Sequence, residues 1–346
     1  MAYKECNLRC TGSEASKHAK TAEETARKAA ASEVSRSLFG RVQADPSNGQ
    51  QREYHELIAK AVRDLLSQNA APQPQPLAPE ASLDVSPPTS GGTIGRYINA
   101  QHHADGLFSE VLKARLPEPA RKPNEPTTVA LKLTSPSTET APHDSRREAH
   151  LLATTAKHPN IVPLLEVLQQ PGGRLVLAFP FFPHDLATIL HQNSLTDSTR
   201  RTILRDLFAA LAHLHKQDII HRDIKPANIL LASPSGPAYL SDFGIAWSPA
   251  SSTAEPADDK ILDVGTTCYR PPELLFGNAQ YGVELDLWAA GCTAAQVVCL
   301  GGKTLFEAGD LGSELALIRS VFETLGTPGL EVWPVGVPLR LDCSVS

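Results

Sequence analysis

The feature that most constrains the fold of this chain is a pair of short motifs in its second half. The first occupies residues 220–230 (IHRDIKPANIL), and the second is Asp242-Phe243-Gly244. Asp223 of the first motif and Asp242 of the second are nineteen residues apart, and β-like residues flank both motifs. Either motif alone arises often by chance, but the two together in this order and spacing are specific. The pair therefore indicates a functional site rather than two surface loops that share these letters by coincidence.

Residues 97–334 resemble eukaryotic protein kinases, because these two motifs belong to the kinase signature set. The order of apolar patterns agrees with that resemblance, since strands precede helices. This order predicts an α+β fold in which a small β-rich lobe, at about 93–180, joins a larger helical lobe at about 181–346. The elements expected are strands at 107–114, 128–133, 161–167 and 174–179 and helices at 145–157 and 200–216.

The resemblance implies an ATP-dependent serine/threonine protein kinase, a transferase that uses ATP and Mg²⁺. Phosphoryl transfer depends on positioning and charge neutralisation more than on covalent catalysis. Asp223 would orient the acceptor hydroxyl and take its proton, and Lys225 would steady the transferring phosphate. Asn228 and Asp242 offer the oxygen ligands that Mg²⁺ prefers.

The remaining nucleotide-binding parts are expected in the β-rich lobe and at its boundary. Val129-Ala130-Leu131-Lys132 matches the kinase strand whose lysine grips the α- and β-phosphates, and Glu148 on the following helix would pair with Lys132. Glu148 as a solvated helix charge is the alternative reading. The adenine and ribose contacts that the resemblance implies are Ala130, Phe179 as gatekeeper, the N–H of Phe182, Asp185 and an apolar floor at Leu230.

The loop expected to cover the phosphates is the weakest match. Residues 104–111 (ADGLFSEV) keep Gly106 and Val111 but have alanine and serine where the family has two more glycines. These replacements are small, so the backbone retains access to phosphate with less freedom. The thinned loop favours an alternative interpretation, in which the chain is a catalytically weak or inactive kinase-fold binding module.

Several segments after Asp242 narrow the resemblance to the cyclin-dependent-kinase branch. Residues 265–277 (GTTCYRPPELLFG) resemble the end of its activation segment. In residues 281–292 (YGVELDLWAAGC), Asp286 would brace the catalytic loop. The sequence TLGTP at 324–328 extends the likeness.

Two departures from that branch concern activation. In cyclin-dependent kinases the matching helix contacts cyclin through an apolar residue. Here that segment is residues 142–148 (PHDSRRE), and Arg146 replaces the apolar residue. A standard cyclin contact would therefore bury an unpaired charge. The phosphorylated threonine of the activation segment is replaced by Ile261, and one phosphate-binding arginine is replaced by Trp247. Arg147 and Arg222 remain. We expect a kinase that is active without phosphorylation of its own activation segment.

With these departures the chain resembles fungal kinases that activate cyclin-dependent kinases. That resemblance implies a cell-cycle role and a protein substrate, the activation loop of a cyclin-dependent kinase. Arg270 and Gly265 suit a proline-directed site equally well, which leaves the substrate open. Neighbouring hydroxyls at 248 and 251–253 are potential phosphorylation sites, although solvated loop residues are the plainer reading.

Composition excludes some partners. The chain has 346 residues, a net charge of −6 and six cysteines with no CxxC pair. The charge argues against a nucleic-acid binder that acts through bulk charge, and no apolar run of about 18 residues predicts a membrane span. The N-terminus lacks the apolar region of a secretory signal. Reduced thiols in an intracellular protein are therefore expected, and the sequence does not separate nucleus from cytoplasm.

The two ends of the chain are expected to lie outside the kinase core. Residues 1–92 are predicted to be a disordered tail with one amphipathic helix at 50–68, followed by a linker with six prolines at 70–92. After residue 334 the family's larger lobe normally continues through several more helices. We therefore expect a C-terminally truncated lobe in which Glu273 lacks its arginine partner, and a truncated gene product is part of the alternative interpretation.

Overall fold

The computed structural model describes residues 91–326, apart from 124, 156–157, 193–194, 299–301 and 310–311. The predicted tail helix at 50–68, most of the linker and residues 327–346 therefore lie outside the described residues. Gly92 already belongs to the first strand. The domain boundary proposed at residue 92 and the truncated end of the lobe stay predictions.

The first lobe is built on an antiparallel sheet with the strand order β1-β2-β3-β4-β6-β5. Alternation along β4 buries Val129, Leu131 and Leu133 beneath the sheet, which leaves Lys132 on the opposite face. The strands are β1 Gly92–Ile94, β2 Tyr97–Asp105, β3 Ser109–Arg115, β4 Thr128–Thr134, β5 Glu166–Gln169 and β6 Leu175–Pro180.

Two parts of this sheet differ from the sequence prediction. Strands β1 and β2 were not predicted, because the outer half of β2 is polar and exposed and shows no alternation. The strand predicted at 161–167 is wrong over most of its length. Ile161 forms only an isolated bridge with Leu240, and the Val162 N–H donates to the Leu240 carbonyl at 2.9 Å. This apolar run fastens the two lobes together, and β5 begins only at Glu166.

The second lobe is mainly helical, as predicted. Its longest helix begins three residues before the predicted start because Thr196 caps it, accepting a hydrogen bond from the Thr199 N–H at 3.2 Å. Helix α1 begins at Ser145, as predicted. The last two residues of the predicted helix, 156 and 157, lie outside the described residues. The helices are α1 Ser145–Thr155, α2 Leu186–His191, α3 Asp197–His215, α4 Pro272–Leu275, α5 Glu284–Val298 and α6 Glu314–Leu325.

A small sheet lies where the lobes meet. Its strands, in the order β7-β8-β9, are His184–Asp185, Ile229–Leu231 and Ala238–Leu240. One apolar cluster runs continuously from α1 and β6 through this junction into α3 and α5. A separate cluster fills the space beneath the larger sheet. The motif residues are thus mounted on rigid elements at the lobe boundary. Within the described part of the chain, no helix has the length and apolar character needed to cross a membrane.

Candidate active site

The catalytic loop holds Asp223 in a network of charged and polar side chains. The hydroxyl of Thr266 donates to Asp223 Oδ1 at 2.8 Å, and Lys225 Nζ lies 2.8 Å from Asp223 Oδ2. Lys225 also donates to the Thr266 hydroxyl at 2.8 Å. The Asn228 side-chain amide donates to Asp223 Oδ2 at 2.9 Å. The predicted base and the predicted phosphate-binding lysine are therefore adjacent, and Thr266 fixes both.

Asp286 braces the loop from below, as predicted. Its carboxylate accepts the backbone N–H groups of His221 and Arg222 at 2.8 and 2.9 Å, and it lies 2.9 Å from His215 Nε2. Burial acts to raise the pKa of Asp286, but the hydrogen bond and charge of His215 outweigh it and hold the pKa below its usual range. A buried ionised carboxylate thus fixes the two residues that precede Asp223.

Asn228 and Asp242 lie at the same end of the β8–β9 hairpin. Ile229 pairs with Leu240, and the Ser241 N–H donates to the Asn228 carbonyl at 2.9 Å. The Asn228 side-chain nitrogen is occupied by Asp223, which leaves the amide oxygen as the atom available to a cation. A carboxylate and an amide oxygen at one hairpin end fit a hard cation such as Mg²⁺.

Lys132 links the two lobes. Its ammonium lies 2.8 Å from Glu148 Oε1 on α1 and 2.8 Å from Asp242 Oδ1. Burial acts to lower the pKa of Lys132, but the charges of Asp242 and Glu148 raise it. The Lys132 charge in turn lowers the pKa of Asp242, whereas burial raises that of Glu148. Glu148 is 2% exposed, so the alternative reading of a solvated helix charge does not describe it.

The residues expected to contact the nucleotide base lie on β4, β6 and β8 and on the segment that follows β6. Ala130 pairs with Phe179 across β4 and β6, and Phe179 is buried. Pro180 has no N–H to offer, and among the described residues the Phe182 N–H makes no hydrogen bond. Leu230 lies in β8. The predicted contact between the Phe182 N–H and adenine stays a prediction.

Asp185 has a structural role that the sequence did not suggest. Its two carboxylate oxygens accept the Thr188 backbone N–H at 2.8 Å and the Thr188 hydroxyl at 2.7 Å. These bonds cap α2 at its N-terminus. The predicted ribose contact of Asp185 stays a prediction.

The loop expected to cover the phosphates makes a tight turn between β2 and β3. The Gly106 N–H donates to the Ser109 carbonyl at 2.7 Å, and a Cβ at Gly106 would lie 2.6 Å from the Ser109 hydroxyl. A side chain at position 106 would therefore require the Ser109 hydroxyl to move, whereas the Ser109 carbonyl would lie at an ordinary contact distance of 3.5 Å. Val111 pairs with Lys132 across the sheet. At the tip, the Phe108 ring lies 4.7 Å from the His143 ring, which brings the loop against the residues that precede α1.

Comparison with known proteins decides the family. The model of the protein kinase domain matches residues 105–327. The chain is 33% identical to serine/threonine-protein kinase csk1 of Schizosaccharomyces pombe over 250 residues, which are 70% of this chain and 78% of csk1. It is 28% identical to cyclin-dependent kinase 2 of Caenorhabditis elegans over 295 residues, 83% of this chain and 70% of that protein. This chain belongs to the protein kinase domain family.

Solved structures agree with that assignment. A structure of the CAK complex from Chaetomium thermophilum bound to ATP-γ-S matches with a TM-score of 0.60 and 29% identity, covering 72% of this chain and 76% of that chain. The yeast RNA polymerase II CTD kinase complex CTDK-1 matches with a TM-score of 0.57 and 28% identity, over 72% and 76% of the two chains. The protein is an ATP-dependent serine/threonine kinase of the cyclin-dependent-kinase type, with the bilobal fold of that family, and it resembles the fungal activating kinases.

Sequence reasoning missed two residues that organise this kinase site. Thr266 was recognised only as part of a motif, and its contact with Asp223 joins residues 43 positions apart. At Gly244 a Cβ would lie 3.2 Å from Asp242 Oδ1 and 3.6 Å from Lys132 Nζ. The glycine of the second motif therefore indicates close packing of the backbone against Asp242 and Lys132.

Proposed function

We propose that Asp223 is the group that orients the acceptor hydroxyl and accepts its proton. The observation that carries this role is the fixed carboxylate, which Thr266 and Lys225 hold from two sides. Lys225, at 2.8 Å from that carboxylate, is positioned to stabilise negative charge on the transferring phosphoryl group. Proton acceptance and charge stabilisation then occur within one small network.

Lys132, held by Glu148, binds the α- and β-phosphates in this proposal, and Gly106 and Val111 cover them. Asn228 and Asp242 hold Mg²⁺, which neutralises phosphate charge when it is bound. The Phe182 N–H binds the adenine edge between Ala130 and Leu230, with Phe179 behind it and Asp185 near the ribose. The same Lys132 charge that lowers the pKa of Asp242 keeps this carboxylate ionised for cation binding.

The substrate that we propose is the activation-loop threonine of a cyclin-dependent kinase, which implies an intracellular site of action. Support comes from similarity to a chain in a structure of a CAK complex and from the departures at Ile261 and Trp247. In this proposal α1 makes no standard cyclin contact. Arg146 is exposed on α1, and burying it without a partner would be costly.

A proline-directed site is the second candidate, and one geometric feature favours it. Gly265 has φ of 77°, and its carbonyl accepts a hydrogen bond from Arg270 Nε at 3.1 Å. In this proposal the Gly265 carbonyl binds Arg270 and is not used to accept the N–H of the residue after the phosphoacceptor. Proline lacks that N–H, so the geometry suits it.

Substrate labelling separates the two candidates. The purified chain is incubated with Mg²⁺-ATP and either an unphosphorylated cyclin-dependent kinase, its activation-loop Thr→Ala variant, or a Ser-Pro peptide. We expect label on the intact kinase, loss of label in the Thr→Ala variant, and labelling about 10²–10⁴-fold weaker with the Asp223→Asn enzyme. Labelling of the peptide alone would overturn the activating-kinase assignment in favour of the proline-directed one.

A further inference from the structure

A buried charge cluster connects the activation segment to the catalytic loop and to α1. The Arg222 side chain is 0% exposed, and its Nη1 donates to Glu255 Oε1 at 2.6 Å and to the Tyr281 hydroxyl at 3.1 Å. Tyr281 in turn donates to the backbone carbonyl of Ile261 at 2.7 Å. Glu255 therefore contacts Arg222 from the activation segment, in which Ile261 replaces the family's phosphorylated threonine.

A second buried arginine is influenced by the charge of the same carboxylate, although the two side chains form no ion pair. Arg147 of α1 donates from Nη1 to the Thr253 carbonyl at 3.3 Å and from Nη2 to the Pro142 carbonyl. Burial lowers the pKa of Arg147, and the nearby Arg222 charge lowers it further, while Glu255 and Asp144 oppose this. Among the described residues, Arg147 Nε, Arg222 Nη2 and Glu255 Oε2 are buried without a hydrogen-bond partner. Glu255 is therefore paired with Arg222 and is close enough to Arg147 to act on its charge, and all three side chains keep a buried polar atom without a hydrogen-bond partner.

Trp247 holds Glu255 in place. Its backbone pairs with Ile220 at the entrance to the catalytic loop, and its indole Nε1 donates to the Glu255 carbonyl at 3.0 Å. Lys260 lies over the Trp247 ring at 4.9 Å from the centroid. Burial acts to raise the pKa of Glu255, but the hydrogen bond from Arg222 and the two arginine charges hold it below its usual value. The carboxylate is therefore ionised and fixed by its backbone.

We propose that Glu255 is a built-in anion that joins Arg222 and Arg147 in place of a phosphate on the activation segment. Arg222 immediately precedes Asp223, and Arg147 immediately precedes Glu148. In this proposal a carboxylate that pairs with Arg222 and acts by charge on Arg147, which itself bonds to the Thr253 carbonyl, sets the position of the catalytic loop and of α1 together. Glu255 is a positioning residue, since it touches neither substrate nor nucleotide. This inference rests on the proposed function and deepens it, because it gives a physical reason for activity without segment phosphorylation.

If Glu255 and Arg222 formed only a structural ion pair, substitution of Glu255 would have different effects. Loss of a structural pair lowers stability whichever anion is in solution, because the remaining charge is buried and unpaired. Loss of a built-in anion leaves a site that a small anion fills from solution. The test therefore uses four variants of the phosphatase-treated chain. Glu255→Gln keeps the shape, Glu255→Asp keeps the charge, Glu255→Ala opens the site, and Asp259→Asn is a matched control from the same segment, with an exposed carboxylate.

Activity is the first readout. We expect Glu255→Gln to lower kcat by about 10²-fold, the scale of a misplaced catalytic group, with a much smaller change in the KM for ATP. Glu255→Asp should retain most of kcat, and Asp259→Asn should match the unaltered chain. Inorganic phosphate should restore activity to Glu255→Ala in a saturable manner. A Gln variant as active as the unaltered chain, or an Ala variant that phosphate does not restore, would overturn the proposal.

Thermal unfolding is the second readout and does not depend on catalysis. Phosphate should raise the melting temperature of Glu255→Ala more than that of the unaltered chain, because only the variant has a vacant anion site. Equal shifts in the two proteins would contradict the proposal. If the unaltered chain transfers no phosphate to protein, the proposed function fails, and the melting experiment still decides whether Glu255 occupies an anion site.

Discussion

At the scale of single residues, the site holds two backbone conformations that side chains rarely adopt. Arg222 has φ of 69° and Asp242 has φ of 62°. Such conformations cost about 1–3 kcal/mol each and persist only where surrounding contacts fix them. Asp286 binds the Arg222 N–H at 2.9 Å, and Lys132 binds the Asp242 carboxylate at 2.8 Å. Arg222 and Asp242 are thus held by charged side chains from distant parts of the chain.

Glu273 gives a prediction about pH. Burial, with a smaller contribution from the charge of Glu284, raises the pKa of its carboxyl from 4.5 to about 7, and among the described residues no basic side chain pairs with it. The folded chain keeps this proton where the unfolded chain has lost it, so stability falls as pH rises from 4.5 to about 7. We expect the melting temperature of Glu273→Gln to be higher than that of the unaltered chain at pH 8 but not at pH 4.

The control for this prediction is the exposed Asp259→Asn, measured at the same two pH values by thermal unfolding. Its difference from the unaltered chain should be the same at both. A Glu273→Gln difference that is equally independent of pH would show that the carboxyl titrates normally in the folded protein.

At the scale of elements, the start of α1 connects the ion pair to the activation segment. Asp144 caps the helix by accepting the backbone N–H groups of Arg146 and Arg147 at 3.0 and 2.9 Å. Its other oxygen accepts the Thr253 hydroxyl at 2.6 Å. The Asp144 N–H donates to the Gly244 carbonyl at 3.0 Å. Contacts within this chain therefore set the position of the helix that carries Glu148.

Substitution at Asp144 should separate capping from charge. We expect Asp144→Ala to lower the free energy of unfolding by about 1 kcal/mol, the usual cost of losing an N-cap, and to lower kcat because α1 loses its link to Thr253. Asp144→Asn keeps a capping oxygen and should lose much less. Urea unfolding monitored by circular dichroism measures the first effect. An Ala variant as stable as the Asn variant would contradict the capping role.

The sequence predicted those elements and residues whose chemistry is local. Asp223, Asn228 and Asp242 could be located because motif spacing is a property of one short segment, and Lys132 because its strand alternates clearly. The partners of Asp185, Thr266 and Gly244 could not be predicted in the same way. Their contacts depend on how distant segments pack, and Thr188, which binds Asp185, carries no motif at all. Strand β2 was missed because exposed polar residues replace its alternation.

At the scale of the whole molecule, the site exists only where the two lobes meet. The β-rich lobe contributes Lys132 and Glu148, and the helical lobe contributes Asp223, Asn228 and Asp242. The 2.8 Å contact between Lys132 and Asp242 closes the arrangement across the cleft. Neither lobe alone therefore contains both the Lys132–Glu148 ion pair and the Asp223 carboxylate.

The most direct test of this account is transfer of the labelled γ-phosphate of ATP by the phosphatase-treated chain to a protein substrate with Mg²⁺. We expect label on serine or threonine, and a loss of about 10²–10⁴-fold in Asp223→Asn, the usual contribution of a general base. The melting temperatures of the two proteins should be similar. Equal labelling by both proteins, or negligible labelling by both, would contradict the account.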